Sequence, residues 1–337
     1  MGKQANKALT STVPGLPFSV TGSRMARVIR LLDYVFILRP TLFFPVWIVF
    51  GAGYITFQPP TGEMTPGESE SGAGIWIVGT LLTLLMGSAY ILNQIIDIPI
   101  DRENNKLFLI ADGHVPLRHA YIAMSGTALF ALSGAFLLEP TLGWLFVAIY
   151  LITGILYSVP PFVWKDRPLA GLLANFFGAV LIYTCGARAA GTSGADPLLL
   201  AVPCALAVAS VYLLTTIQDR KGDAVHRKMT FAVKFGIRNT VAVAALLELL
   251  ALSLAWLLQD AIMFYPALLS APLFLLAAWN NDKRAVVRAI KFPILLLALM
   301  VSLFWMPLLL LLGLTYFLAK GYYYARFGLK YPSLNPE

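Results

Sequence analysis

The sequence predicts an all-α integral membrane protein, a bundle of about nine transmembrane helices. Composition is the first observation: 58% of the 337 residues are hydrophobic and 12% are charged, whereas about a quarter of an average soluble domain is charged. The second observation is that apolar runs of about 20 residues, long enough to cross a ~30 Å hydrocarbon layer, recur along the chain. Barrel strands are shorter and alternate in polarity, so the runs are predicted to be helices.

The predicted spans begin at Tyr34 and are separated by short polar loops. Backbone groups in lipid must be hydrogen-bonded internally, which a helix achieves. The nine spans cover residues 34–57, 75–98, 119–138, 142–159, 168–190, 197–217, 239–259, 261–279 and 292–318. Residues 1–25 are predicted to be a disordered polar tail, residues 26–320 one transmembrane domain and residues 321–337 a C-terminal tail.

The distribution of positive charge predicts the orientation. Twenty of the 25 lysines and arginines lie in the N-terminal segment and in the loops on its side of the predicted bundle, and such loops face the cytoplasm. We expect a multi-pass protein of the cell (inner) membrane, with the N-terminus inside, the C-terminus outside and no nucleic-acid partner. The basic C-terminal tail disagrees with this topology, as it would if one span were miscounted; it carries Lys320, Arg326 and Lys330.

The second span ends in a column of oxygen-bearing side chains. Its sequence Y-I-L-N-Q-I-I-D-I-P-I-D-R places Asn93, Asp97 and Asp101 at positions i, i+4 and i+8. Residues four apart differ by only about 40° around a helix, so the three side chains share one face. A charged side chain at membrane depth costs about 2.5 to 3.5 kcal/mol, which indicates a functional role.

The sixth span ends in a second acidic pair, Asp219 and Asp223, in the sequence Q-D-R-K-G-D. The same 126-residue offset separates Asn93 from Asp219 and Asp97 from Asp223. This repeated spacing predicts two pseudo-repeated Asp-rich motifs at the cytoplasmic ends of their helices, facing one cavity.

The ligand chemistry of these motifs predicts Mg²⁺ as cofactor. Oxygen ligands without His or Cys favour a hard cation, and phosphate oxygens of a substrate commonly complete a Mg²⁺ site. Four aspartates balance two Mg²⁺ ions, so a bound diphosphate needs further cations from the same face. The candidates are Arg102, Lys165, Arg220, Lys221, Arg227 and Lys228. An apolar cavity above such a site would hold a lipid tail and exclude water.

At these residues the sequence resembles the UbiA superfamily of intramembrane prenyltransferases. The resemblance comprises L-R-P-T-L-F-F-P in the first span, N-Q-I-I-D-I-P-I-D, Y-S-V-P-P-F-V-W-K, and D-R-K-G-D followed by K-F-G. It implies nine transmembrane helices and Mg²⁺-dependent transfer of a prenyl group from a prenyl diphosphate to an acceptor. It also implies that Lys165 contacts the diphosphate and Tyr157 lines the site. The metal ligands that it implies are Asn93, Asp97, Asp101, Asp219 and Asp223.

The chain departs from the family pattern at several positions. Gln94 and Thr216 stand where many relatives have aspartate, and the stretch after the first motif lacks a common Arg-Pro. Pro99 lies between Asp97 and Asp101 and cannot donate a helical hydrogen bond. We therefore expect the helix to kink or unwind there, with Asp101 the ligand most affected.

Other polar residues in or near the spans extend the predicted site. Glu248, in the middle of a span, is either paired inside the bundle or lines a pocket. Asn175 and Arg188 of the fifth span are candidates to meet the acceptor, although Asn175 is equally suited to hydrogen bonding between helices. The predicted catalytic residues are Asp97, Asp101, Asp219 and Asp223. The predicted substrate-binding residues are Asn93, Arg102, Tyr157, Lys165, Asn175 and Lys221.

Three functions fit these features. The first is prenyl transfer to an aromatic ring, a glycerol phosphate lipid or a chlorin alcohol, with the prenyl diphosphate, a hydrophobic or aromatic acceptor and membrane lipid as partners. The second is cyclisation of the prenyl diphosphate alone, as in UbiA-type terpene synthases. The third is transport of a phosphorylated lipid. Transporters usually bind charge near the midplane on broken helices, whereas these acids cluster at one edge.

Overall fold

The computed structural model describes residues 24–58, 71–103, 109–192, 196–280 and 282–332, in which helices are present and strands are not. The all-α prediction is therefore confirmed for the described ranges. Residues 1–23 lie outside them, so for these residues the disordered N-terminal tail stays a prediction, whereas Arg24 and Met25, which the predicted tail also included, begin a helix. The helices are α1 (Arg24–Phe36), α2 (Phe43–Thr56), α3 (Ser71–Glu103), α4 (Leu117–Leu138), α5 (Pro140–Ile149), α6 (Pro168–Ala189), α7 (Asp196–Val225), α8 (Phe231–Leu257), α9 (Ala261–Asn280), α10 (Lys283–Phe304) and α11 (Pro307–Phe327).

The predicted number of spans is confirmed. Nine helices in the described part of the chain are long and apolar enough to cross a membrane. The first of them, Ile29–Thr56, combines α1 and α2. The fourth predicted span falls instead on the shorter apolar helix Pro140–Leu156. Together with the nine longer helices of the described ranges it gives ten apolar segments, an even number that lets both described ends of the chain lie on one face. The set of nine is completed by an additional helix at the C-terminal end.

The ninth predicted span, residues 292–318, is wrong because it contains two helices. α10 ends at Phe304 and α11 begins at Pro307. Trp305, between them, packs against Trp76 near the start of α3, with ring centroids 5.3 Å apart. The chain reverses at this point, so α11 runs back through the bundle towards the start of the first span.

Contacts at the end of α11 place the two described chain ends on one face of the bundle. The Arg326 guanidinium binds Asp33 of α1 and lies 3.3 Å from Nδ1 of His114, in the loop that follows α3. The predicted C-terminus on the opposite side is therefore wrong, and the basic tail joins the other basic segments. Helix α11 also continues to Phe327, past the predicted domain boundary at residue 320.

Helix α3 stays helical through Pro99 as far as Glu103. The predicted unwinding at Pro99 is therefore wrong, and Asp97 and Asp101 lie on one continuous helix. A departure from α-helical geometry occurs instead directly after α5, where Tyr150–Leu156 continues the chain as a π-helix. Short π-helical segments are frequent at functional sites, and this one leads directly into Tyr157.

Glycines bring α2 and α6 into close contact. A Cβ atom at Gly53 would collide with the backbone carbonyl of Tyr183, and one at Gly186 would collide with the carbonyl of Phe50. Small residues at helix interfaces allow backbones to approach closely in membrane proteins. This contact fixes the spacing of two helices that also line a cavity.

The acid in the middle of the membrane, Glu248, is paired inside the bundle. It is 1% exposed and accepts hydrogen bonds from Ser210 of α7 at 2.9 Å and Ser270 of α9 at 2.5 Å. Of the two predicted alternatives for Glu248, pairing inside the bundle is the one that its contacts show. Arg188 is likewise occupied, because it forms an ion pair with Glu139 at the start of α5.

Candidate active site

Lys165 joins the first acidic motif to the loop after the π-helix. Its Nζ donates to Oδ1 of Asn93 at 2.9 Å and to Oδ1 of Asp97 at 2.5 Å. Ser158 donates to the same Asn93 oxygen at 3.1 Å. The Lys165 and Asp97 side chains are 10% and 16% exposed, so water screens this ion pair only weakly.

The backbone of the loop directs Lys165 towards α3. Val163 has a positive φ of 39° and caps a 3₁₀ turn formed by Trp164–Asp166. Arg167 donates to the Pro161 carbonyl at 2.9 Å, closing the loop across its own base. A positive φ is uncommon for a β-branched residue and marks a turn or a strained position. Lys165 follows this position by two residues.

The second acidic motif is stabilised by the turn after α7. Thr230 donates to Oδ2 of Asp223 at 3.0 Å, and the backbone N–H of Lys228 donates to the Asp223 carbonyl at 2.9 Å. Asp219, one helical turn earlier, is exposed. The two carboxylates are close enough to repel each other electrostatically, which is the arrangement that a bound cation would stabilise.

Asp166 lies between the two motifs and was not predicted from the sequence. Its carboxylate is 3.8 Å from Lys228 Nζ, and its carbonyl accepts the backbone N–H of Met229 at 3.0 Å. It interacts electrostatically with Asp97 and with Asp223. Burial raises the pKa of the Asp166 carboxyl above its usual value, and the ammonium groups of Lys228 and Lys165 oppose that rise. A single loop acid has no periodic pattern, so its only signal was its position beside Lys165.

We call the end of the bundle that carries Asp97, Lys165, Asp166 and Asp223 the motif face. A cavity of about 210 Å³ lies beside this face, between α2, α3, the π-helix, α6 and α7. Its wall is mainly apolar, and its polar members are Tyr90, Thr153, Tyr157 and Asn175.

Tyr157 belongs both to the cavity and to the motif face. It lines the cavity and lies within electrostatic range of Asp97, Asp166 and Asp223. Its hydroxyl interacts with the side chain of Asn175, whose amide also donates to the Gly171 carbonyl at 2.9 Å. The structure thus places an apolar chamber directly beside the two acidic motifs.

The remaining predicted residues are less closely gathered. Arg102 is exposed and donates to the Ala111 carbonyl at 3.0 Å, so it braces the loop after α3. Lys221 is exposed on α7, and Asp101 is half-buried one turn beyond Asp97 on α3. The structure therefore brings Asn93, Asp97 and Lys165 into direct contact and leaves Arg102 and Lys221 at the rim.

The described residues contain no cluster of three or more His, Cys, Asp or Glu side chains arranged to hold a metal ion. The donor chemistry nevertheless fits Mg²⁺, because the side chains of Asn93, Asp97, Asp166 and Asp223 at the motif face supply carboxylate and amide oxygens. Mg²⁺ is commonly held by one or two carboxylates together with substrate phosphates and water rather than by a complete protein cage.

Solved structures share this fold. The chain superposes on a UbiA homolog from Archaeoglobus fulgidus bound to GPP and Mg²⁺ with a TM-score of 0.63 and 16% sequence identity, covering 83% of this chain and 99% of that one. It superposes on the apo UbiA homolog from Aeropyrum pernix K1 with a TM-score of 0.58 and 19% identity, covering 77% and 96% of the two chains. At these identities the similarity establishes the fold alone.

Curated relatives share part of the sequence. A probable homogentisate phytyltransferase 2 from Oryza sativa subsp. japonica is 30% identical over 175 residues, covering 47% of this chain and 45% of the relative. A 2-acylphloroglucinol 4-prenyltransferase from Humulus lupulus is 26% identical over 172 residues, covering 46% and 40%. The matched segment thus spans less than half the length of these relatives.

A family model matches the part of the chain that contains both acidic motifs, Lys165 and Asp166. The matched residues are 64–292, well over half of the chain, and the model describes the UbiA prenyltransferase family. This match agrees with the helical bundle, with the order of the motifs and with the solved structures that share the fold. The chain therefore belongs to the UbiA prenyltransferase family.

Proposed function

We propose that this protein transfers a prenyl group from an isoprenoid diphosphate to an aromatic acceptor inside the membrane, in a Mg²⁺-dependent reaction. The observation that carries the proposal is the position of Tyr157, which lines the apolar cavity within electrostatic range of both acidic motifs. This arrangement suits a substrate with an apolar tail and a multiply charged head. The acceptor class rests on the relatives, which are named for homogentisate and 2-acylphloroglucinol.

Each polar group at the motif face has a role in this proposal. Asn93, Asp97 and Asp101 on α3 would hold Mg²⁺ together with Asp219 and Asp223 on α7. Bound Mg²⁺ supplies positive charge that stabilises a departing diphosphate. Lys165 contributes an ammonium group beside the first motif, where it contacts Asn93 and Asp97, and its three donors suit phosphate oxygens.

The proposed reaction exchanges one bond for another. The bond between C1 of the prenyl chain and the diphosphate oxygen breaks, and the electron pair leaves with the diphosphate. A ring carbon of the acceptor supplies the electrons of the new C–C bond, and the ring then loses a proton to solvent. The apolar wall of the cavity excludes water, which would otherwise capture the electron-deficient carbon.

The orientation of the site in the membrane is also a proposal. The return of α11 places Lys320, Arg326 and Lys330 with the basic segments of the motif face. With them, 23 of the 25 lysines and arginines are assigned to one side. We infer from the positive-inside rule that the motif face is cytoplasmic.

The test is diphosphate release by the purified protein from farnesyl or geranylgeranyl diphosphate, with homogentisate as the acceptor. We expect release to require Mg²⁺, to stop with EDTA and to fall at least about 100-fold in Asp97→Ala and Asp223→Ala. Arg118→Ala, an exposed basic residue on the motif face, serves as the matched control and should retain activity. Release without acceptor, accompanied by a cyclic hydrocarbon, would indicate cyclisation instead. No release with either donor, or full activity in both aspartate variants, would refute the proposal.

A further inference from the structure

Asp166 belongs to neither acidic motif, yet two contacts tie it to the turn that follows the second motif. Its carbonyl accepts the Met229 N–H at 3.0 Å, and its carboxylate faces Lys228 Nζ at 3.8 Å. The first contact involves backbone atoms alone and survives substitution of the side chain. The second depends on the carboxylate, so a substitution at residue 166 acts on Lys228 while leaving the backbone contact in place.

Each of the two lysines near Asp166 contacts a different acidic motif. Lys165, its chain neighbour, contacts Asn93 and Asp97 of the first motif. Lys228 donates its backbone N–H to Asp223 of the second. Asp166 thus connects the 164–166 turn to the 226–230 turn.

The Lys228 ammonium has unused capacity to bind an anion. At 3.8 Å from the Asp166 carboxylate it is within ion-pair range but beyond the usual 2.7 to 3.2 Å of an N–H···O hydrogen bond. A lysine has three donors and no acceptor, and this side chain is 18% exposed. The carboxylate therefore restrains the position of the ammonium group without saturating it.

We propose that Lys228 is a second diphosphate-binding cation, placed across the site from Lys165, and that Asp166 is the positioning residue that holds it there. This inference rests on the proposed function, since it assigns a further contact to the same diphosphate. Asp166 itself contacts no diphosphate oxygen, because two anionic groups would repel each other. Its effect on the substrate is transmitted through Lys228.

A double-mutant cycle tests the coupling, with KM for farnesyl diphosphate and kcat measured at saturating Mg²⁺ and acceptor. We expect Asp166→Asn and Lys228→Gln each to raise KM about tenfold, the effect of one charge-assisted hydrogen bond, with kcat changed less than about threefold. The double variant should resemble Lys228→Gln alone, because Asp166 acts through Lys228. Asp166→Glu, which keeps the carboxylate, should recover most of the lost affinity, and Arg118→Gln should leave KM unchanged.

Binding of inorganic diphosphate with Mg²⁺, measured by calorimetry, tests the same inference without turnover. We expect Asp166→Asn and Lys228→Gln to weaken binding by about the same factor as they raise KM, while thermal midpoints stay within a few degrees of the parent. Wild-type-like diphosphate affinity in Lys228→Gln, or additive effects in the double variant, would overturn the inference. If the wild-type protein shows no turnover while both variants bind diphosphate more weakly than it does, the proposed reaction is refuted and the diphosphate site stands.

Discussion

The Arg326 guanidinium, at the end of α11, holds both carboxylate oxygens of Asp33 in α1 at 3.2 Å. Asp33 is 3% exposed in its side chain and also accepts a 2.7 Å hydrogen bond from Tyr322. The ring of Tyr322 stacks on Phe36 at a centroid distance of 3.7 Å. The last helix is therefore attached to the first by a buried ion pair and an aromatic stack.

Removal of Arg326 should destabilise the protein. Arg326→Ala leaves a buried carboxylate with one remaining partner, and breaking a buried pair in this way costs several kcal/mol. Because the Arg326 side chain is 21% exposed, we expect a loss of about 2 to 3 kcal/mol in the free energy of unfolding, measured by SDS titration in mixed micelles. Lys320→Ala, an exposed residue of the same helix, is the control. Equal stability of the two variants would show that the pair contributes nothing.

The return of α11 predicts which residues are labelled from one side of the membrane. The native cysteines, Cys185 and Cys204, are buried and should not react with a membrane-impermeant maleimide. Cysteine introduced at exposed Lys330 or Arg118 should be labelled from the same side. Cysteine at exposed Gln259, in the turn between α8 and α9, should be labelled from the other. If Lys330→Cys and Gln259→Cys were labelled from the same side of the membrane, the assigned path of α11 would be wrong.

The hydrogen bonds of Glu248 predict that replacing Glu248 costs less stability than replacing both of its serine partners. Ser210 and Ser270 each have a second acceptor in their own helix, the carbonyls of Ala207 and Ala267. Glu248→Leu therefore leaves no hydroxyl unpaired, and we expect less than about 1 kcal/mol loss of stability. Ser210→Ala combined with Ser270→Ala leaves a buried carboxyl without partners, which costs about 1 to 3 kcal/mol. The reverse order of stability in SDS titration would refute this account.

Under the proposed function, the cavity wall predicts how donor length is selected. Gly178 lines the cavity, and a Cβ atom there would lie 3.0 Å from Cγ2 of Thr153. A larger side chain must therefore project into the space for the prenyl chain. We expect Gly178→Leu to lower kcat/KM for geranylgeranyl diphosphate about tenfold more than for dimethylallyl diphosphate.

The control for this prediction is Leu173→Ile, at an exposed position of the same helix and outside the cavity lining. It should leave the ratio of the two kcat/KM values unchanged. An unaltered ratio in Gly178→Leu would place the prenyl chain elsewhere in the bundle.

Much of the first motif was predictable because helical periodicity is regular. The i, i+4 spacing placed Asn93 and Asp97 on one face, and both contact the same lysine in the structure. The contact itself was not predictable, because Lys165 reaches α3 through a turn that depends on the positive φ of Val163. Asp166 was missed for the same reason, since turn geometry rather than spacing brings it between the motifs.

The path of the C-terminal helix was missed because residues 292–318 are apolar without a polar break. Hydropathy locates the ends of spans by polar loops, and this hairpin turns at Trp305 and Met306, which are compatible with the membrane interface. Pro307 at the start of α11 and the basic tail were the available signals. The unwinding predicted at Pro99 failed because α3 continues to Glu103 despite the missing donor.

The buried position of Asp33 has a consequence for biosynthesis. Tyr322 and Arg326 follow Asp33 by 289 and 293 residues, so a chain made from its N-terminus inserts the acid long before its partners emerge from the ribosome. Until then we expect the carboxylate to stay in contact with water or lipid headgroups, because burying it without a partner is costly. We therefore expect attachment of the first helix to be a late step of assembly, and we expect quality-control proteases to recognise chains that terminate before α11.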